Sequence, residues 1–173
     1  EMHEWAEMAR FARSGGEANS IAIRIARAAT GRDVVAICGY HGWHDWYLAT
    51  NLKNNSGLEE HLLPGLEALG VPKALSETTH PFSFNKFWQL EEIASKYKLA
   101  AVKMEVQRSC PPDKKFLNDV RNLCSKKGIV LIFDECTSGF RETFGGIHKK
   151  YGVNPDMAMF GKALGNGYPV TAV

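Results

Sequence analysis

An α/β fold built on a mostly parallel sheet flanked by helices is what this sequence predicts, and three observations lead to it. From residue 86 onward, short apolar runs alternate with amphipathic stretches of helical period, the pattern of βαβ units with right-handed crossovers. The first amphipathic stretch opens with Ser14 and Glu17 at capping-box spacing, a helix-start signature. Each apolar run is followed directly by glycine or a charged residue: Gly39 after DVVAIC, Glu105 after LAAVKM, Asp134 after IVLIF, and Gly161–Lys162 after MAMF. In open parallel sheets ligands bind beyond the carboxyl ends of the strands, where these residues would lie.

The elements follow in order. Glu1 to Phe11 reads as helical. Ser14 to Gly31 is a helix with Ile21, Ile25, Ala28 and Ala29 on one apolar face and Gly31 as its stop. Asp33 to Cys38 is a buried-type strand. Gly39 to Asn85 is rich in aromatic, Gly, Asn and Pro residues, a long excursion of the kind that often carries function. Its Trp43, Trp46, Tyr47 and Leu48 are of the type enriched at interface cores, although packing within one subunit would use them equally well. Then come a helix over Lys86 to Tyr97, a strand over Leu99 to Met104 and a helix over Phe116 to Lys127 closed by Gly128. A strand over Ile129 to Phe133, a short helix over Ile147 to Tyr151 and a strand over Met157 to Phe160 follow. The β-type run Val170 to Val173 has no turn after it. Both ends thus fall inside elements, so residues 1–173 are expected to be a piece of a longer protein.

With 173 residues, 45% hydrophobic and 23% charged, the chain suits one α/β domain with a real core. The net charge of +2, with no basic stripe, gives no sign of a nucleic-acid partner. No apolar run approaches the roughly 20 residues of a membrane helix, and no basic-then-apolar leader opens the chain. Cys38, Cys110, Cys124 and Cys136 are scattered, which favours reduced thiols in the cytoplasm over a disulfide frame or zinc ribbon.

Four signals carry chemistry. Asp134 ends an all-apolar strand, where a carboxylate has little water and needs a positive partner; a protonated pyridine nitrogen is one, and a turn cap is the ordinary alternative. Lys162, after Gly161, sits where an amine in an apolar site can have its pKa lowered and become a nucleophile towards an aldehyde, unless it is only a solvated lysine. Gly15 and Gly16, behind Ser14, leave bare N–H groups at a helix start, which suits a phosphate. Tyr40 offers a ring for a flat cofactor and His41 a hydrogen bond for a nearby carboxylate, though core packing would also use both. An anion site, an aromatic plate, a carboxylate and an amine together meet the requirements of pyridoxal phosphate. A rival reading takes His41, His44 and Asp45 as metal ligands, H-x-x-H-D, but no second ligand cluster accompanies them.

The motifs RSGGEAN (13–19), GYHGWHD (39–45), LAAVKMEV (99–106), LIFDECTSGFR (131–141) and PDMAMFGKALGNGYP (155–169) resemble, in order and spacing, the class III aminotransferases. Within them the chain is most similar to the glutamate-1-semialdehyde aminomutases and aminotransferases like them. The resemblance implies the pyridoxal-phosphate type I fold, with this chain as the central part of the large domain. It implies that Lys162 is the Schiff-base lysine and proton shuttle, and that Asp134 holds the pyridine nitrogen protonated. Tyr40 would stack on the ring, and Ser14, Gly15 and Gly16 would bind the phosphate. His41 would support Asp134, Glu105 matches the family's acidic strand-end residue, and Cys136 stands where a valine usually lies under the ring. Val106 replaces the usual proline. The implied activity moves an amino group between an amino donor and an aldehyde or ketone, in a homodimer. An intramolecular aminomutase is the alternative, and a non-catalytic binding module the remote one. The small-domain residues that would meet the substrate lie beyond Val173, as does the threonine that would reach the partner's phosphate.

Overall fold

The computed structural model describes residues 2–53, 57–58, 67–107 and 109–173. The chain opens with a turn at residues 4–5, closed by the Ala6 N–H on the His3 carbonyl at 3.0 Å, and not with a helix. Residues 2–10 form no helix, and Phe11–Ala12 (β1) pairs antiparallel with Thr171–Ala172 (β7). The backbone of Arg10 exchanges two hydrogen bonds with Val173, at 2.7 and 2.9 Å. Those partnerships with the last strand compete successfully with any local helical preference, which is weak without a cap.

Helix α1 (Gly15–Thr30) starts where its capping box places it. Ser14 is extended (φ −122°, ψ 156°), its Oγ accepts the Glu17 N–H, and Glu17 Oε2 accepts the N–H groups of Ser14 and Arg13 at 3.0 and 2.8 Å. Gly31 ends it in the left-handed region (φ 64°), a conformation glycine adopts without a Cβ penalty. The buried face differs from the one expected. Ala18, Ala22, Ile23 and Ala26 face inward, whereas Ile25 is 42% exposed and Ala28 and Ala29 are exposed. Three alanines one turn apart let the helix axis approach the sheet closely, and that fit outweighs the larger isoleucine.

The sheet contains β2 (Val34–Cys38), β3 (Thr79–Pro81), β4 (Leu99–Glu105), β5 (Val130–Asp134) and β6 (Met157–Met159) in the order β3-β2-β4-β5-β6, all parallel. Strand β4 is central, and all its residues are buried. One face, with Val35, Ile37, Ala101 and Ile132, packs under α1. The other, with Val102, Met104, Leu131 and Phe133, packs on α3 (Phe87–Lys96) and α4 (Phe116–Lys127) through Leu90, Ala94, Leu117 and Val120. Burying each of the Val, Ile, Leu, Met and Phe side chains here contributes about 1.5–3 kcal/mol.

Part of the long excursion, residues 54–56 and 59–66, lies outside the described residues; the rest is more regular than its composition suggests. It holds helix α2 (Asp45–Leu48) and the edge strand β3. A three-residue Thr-His-Pro strand carries no apolar pattern, and its proline is tolerated because it lies at a sheet edge. Trp46, Tyr47 and Leu48 pack in this chain's own core, while Trp43 is 71% exposed. After β5, helix α5 (His148–Tyr151) leads to β6. No helix among the described residues is long and apolar enough to cross a membrane.

Candidate functional site

Parallel strands deliver their carboxyl ends to one edge, and a cleft of about 430 Å³ opens there. Its lining includes Ser14, Gly15, Gly16, Tyr40, Asp134, Cys136 and Lys162. Among the residues singled out in the sequence, His41 and Glu105 stand behind the lining, in contact with residues that form it.

The start of α1 supplies one wall. The first helical bond runs from the Ala18 N–H to the Ser14 carbonyl at 3.1 Å, so the Gly15 and Gly16 amides precede the helical ladder. A side chain at Gly16 would crowd His44. A Cβ on Gly16 would meet His44 Nε2 at 2.7 Å, and one on Gly15 would touch Cys136 Sγ at 3.4 Å. His44 is fixed by a 2.7 Å bond between its Nδ1 and Ser20 Oγ. The wall is therefore backbone, with the positive end of the helix dipole behind it.

Asp134 lies at the carboxyl end of β5 and is 5% exposed. Its Oδ1 accepts the Cys136 N–H at 3.1 Å, and its Oδ2 contacts His41 Nδ1 at 2.8 Å and Lys103 Nζ at 3.3 Å. Burial alone would raise its carboxyl pKa, but the Lys103 ammonium and His41 more than offset this and hold it well below the usual carboxylate range. Lys103 is the feature that sequence reading missed. It sits mid-strand in an apolar run, where a lysine looks like a solvated exception, yet it is 0% exposed. His41 also contacts the Cys38 carbonyl through Nε2 at 3.2 Å, and burial pushes its imidazole pKa down.

Lys162 follows Gly161 at the end of the β6 segment. Its backbone takes the left-handed conformation (φ 47°), uncommon for a residue with a Cβ and concentrated at functional sites. The side chain is exposed to the cleft, not enclosed in apolar surroundings, and Nζ donates to Thr137 Oγ1 at 2.7 Å. Thr137 is a second missed partner; its place in the turn after β5 was the available signal. Cys136 lies between Gly15 and Gly161, since a Cβ on Gly161 would come within 2.8 Å of its Sγ and one on Gly15 within 3.4 Å. Burial pushes the Cys136 thiol up.

Tyr40 is a half-buried part of the cleft lining, its ring edge-on to Tyr47 at 6.2 Å. Glu105 Oε2 accepts the Tyr40 N–H at 3.0 Å, and Asn19 Nδ2 donates to the His41 carbonyl at 3.1 Å. The loop after β2 is thus tied to β4 on one side and α1 on the other. His41 and His44 face different partners, Asp134 and Ser20, so they do not converge. Among the described residues no three His, Cys, Asp or Glu side chains are placed to share an ion.

A parallel sheet whose carboxyl edge joins a buried carboxylate, an amine and a bare helix start, with the structural likenesses below, defines a member of the pyridoxal-phosphate type I fold class. Within it the chain belongs to the family described as Aminotransferase class-III, whose model matches residues 2–173. The glutamate-1-semialdehyde 2,1-aminomutase of Citrifermentans bemidjiense is 40% identical over 174 residues, which is 96% of this chain and 40% of that protein. The 3-aminobutyryl-CoA aminotransferase of Cloacimonas acidaminovorans is 37% identical, covering 96% of this chain and 38% of its own length. Among solved structures, an omega-transaminase from Sphaerobacter thermophilus superposes with a TM-score of 0.82 at 31% identity, over 99% of this chain and 41% of that one. A transaminase with PLP bound superposes at 0.85 and 30% identity, with the same coverage. The chain spans about two fifths of the length of these relatives.

Proposed function

We propose that this chain is the cofactor-binding part of the large domain of a pyridoxal-phosphate-dependent aminotransferase, which moves an amino group from an amino donor to an aldehyde or ketone. The observation that carries this reading is that Asp134 and Lys162 open onto the same cleft as the bare amides of Gly15 and Gly16. The donor set fits the group. An anion-binding helix start, an aromatic face, an anionic carboxylate and an exposed amine match its phosphate, ring, ring nitrogen and aldehyde. Bound there, the cofactor supplies an aldehyde that condenses with amines and a ring that withdraws electrons.

The chain's own residues do the rest. Ser14, Gly15 and Gly16 hold the phosphate. Tyr40 covers one face of the ring, and Cys136 packs beside it. Asp134 binds the ring nitrogen, His41 orients Asp134, and Glu105 fixes Tyr40 through its backbone. Lys162 provides the amine and carries a proton at Nζ, with Thr137 Oγ1 as its partner in the structure. A homodimer is part of the proposal. Exposed Trp43, Tyr168 (78%) and Val170 (38%) rim the cleft, which suits cover by another subunit. The four free cysteines suit a reducing cytoplasm.

The test uses the whole protein that carries this chain. It should be yellow, absorb in the near-violet and retain the cofactor on Lys162 after borohydride reduction. Fixation on a different lysine would contradict the reading. Intramolecular transfer is the second reading, supported by the 40% identity to an aminomutase. Conversion of glutamate-1-semialdehyde without any amino donor would establish it.

A further inference from the structure

Lys103 is a buried cation that neither the fold nor the roles above require. It projects from the middle of β4 towards α1, on the face shared with Ile37 and Ile132, and is 0% exposed. An aliphatic residue there would extend the apolar layer and leave His41 and the Cys136 amide as the groups holding Asp134. Burying an ammonium instead is expensive unless it is paired and hydrogen-bonded. The pairing is incomplete: Nζ lies 3.3 Å from Asp134 Oδ2, yet it meets no acceptor in hydrogen-bonding geometry among the described residues. Its charge therefore acts on Asp134 mainly through space.

Among the described residues, other titratable groups near this pair are few. His41 comes from the loop after β2, Glu105 from the end of β4, Cys136 from the turn after β5 and Lys162 from beyond β6. The buried residues of α1 are Ala18, Asn19, Ala22, Ile23 and Ala26, none of them charged. In this poorly solvated nest a cation beside Asp134 is felt strongly.

We infer that Lys103 is a positioning residue that competes for the negative charge of Asp134 and so weakens the hold of that carboxylate on the protonated ring nitrogen of the cofactor. This rests on the cofactor reading above. Burial pushes the Lys103 ammonium down while Asp134 draws it up, and the carboxylate it faces stays anionic. With Lys103 in place, the ring nitrogen gives up its proton at lower pH than it would beside Asp134 and His41 alone. The electron-withdrawing power of the ring thereby becomes adjustable within the working pH range.

The experiment follows the ring nitrogen directly, by nitrogen-15 NMR of the whole protein loaded with labelled pyridoxal phosphate. In the wild type this nitrogen should titrate within the pH range over which the protein stays folded. In Lys103→Met its midpoint should rise by roughly two pH units, the size expected for removing one nearby unit charge from a poorly solvated site. Binding gives a second readout. The preference for pyridoxal phosphate over its 1-deaza analogue, which has no ring nitrogen to protonate, should widen by about 10–100-fold in Lys103→Met, at tenfold per unit. An unchanged midpoint and an unchanged preference would reduce Lys103 to a structural charge. A wild-type ring nitrogen that stays protonated over the whole folded range would overturn the proposal without any variant. Absence of bound cofactor in the wild type would instead refute the cofactor reading itself.

Discussion

Lys162 Nζ donates a 2.7 Å hydrogen bond to Thr137 Oγ1, joining the turn after β5 to the turn after β6. The amine is held at the cleft, yet it remains exposed. Lys162→Ala should abolish the visible band and the borohydride-fixed adduct altogether. Thr137→Val keeps the shape of the side chain and removes only the hydroxyl. Losing one hydrogen bond of about 1 kcal/mol predicts a roughly 5-fold fall in turnover with the band retained. Stopped-flow absorbance with a good amino donor separates the two outcomes. Wild-type rates in Thr137→Val would show that the contact does not guide the amine.

Asp134 is bound into its site by Lys103, His41 and the Cys136 amide. Asp134→Asn should leave partial cofactor binding but cost several orders of magnitude in turnover, because a neutral amide cannot sustain a protonated ring nitrogen. It should also destabilise the fold by about 3 kcal/mol, since a buried ammonium loses its counter-ion. Adding Lys103→Met should restore much of that stability and none of the turnover. Urea unfolding of the two single variants and the double variant measures the coupling. Strict additivity would mean that the 3.3 Å approach has no energetic consequence.

Much of this arrangement is legible in the sequence, for identifiable reasons. The capping box of Ser14 and Glu17, the glycine stops at Gly31 and Gly128 and the apolar runs of β2, β4 and β5 depend on local chemistry, which sequence records. The strand-end positions of Asp134 and Lys162 follow once the sheet is parallel. What escaped reading depends on distant partners. β1 exists because Arg10 meets Val173, and the buried face of α1 is chosen by how closely alanines approach the sheet. Lys103 has no periodic or motif signal at all; only the fold shows that its side chain turns inward towards Asp134. Thr137 and Asn19 likewise acquire their roles from residues 25 and 22 positions away.

The buried carboxylates set the acid limit of the fold. Burial alone would raise the Glu135 pKa, but His148, Ser138 and the Ile147 and His148 amides hold it below its usual range. Asp134 is held down by Lys103 and His41. Folded-state values below the ordinary 3.8 for Asp and 4.5 for Glu mean that both groups contribute stability above those values. That contribution is lost as pH falls through the depressed folded values. Unfolding free energy should therefore begin to decline below about pH 6.5, where the unfolded chain protonates His41 and the folded chain resists it, and fall more steeply from about pH 4.5 downward. Glu135→Gln should lower stability at neutral pH and flatten the acid slope. A variant with the wild-type slope would place the acid-labile groups elsewhere.

Gly16 offers the sharpest separation of binding from folding. Its φ is not in the left-handed region, so the backbone itself would accept alanine, and alanine in the first turn of a helix costs nothing in propensity. The obstacle is spatial: the new methyl would approach His44 Nε2 to 2.7 Å, on the wall formed by the bare amides. His44 would have to yield, straining its bond to Ser20, and the methyl would stand beside the surface offered to a phosphate. Gly16→Ala should thus change thermal stability by no more than about 1 kcal/mol. It should weaken pyridoxal-phosphate binding by roughly 10–100-fold, the equivalent of one to two lost hydrogen bonds to a charged group. The whole protein's dissociation constant for the cofactor, measured by fluorescence titration of the apo form, decides the matter. A variant that binds pyridoxal phosphate as tightly as the wild type would place the phosphate away from the start of α1.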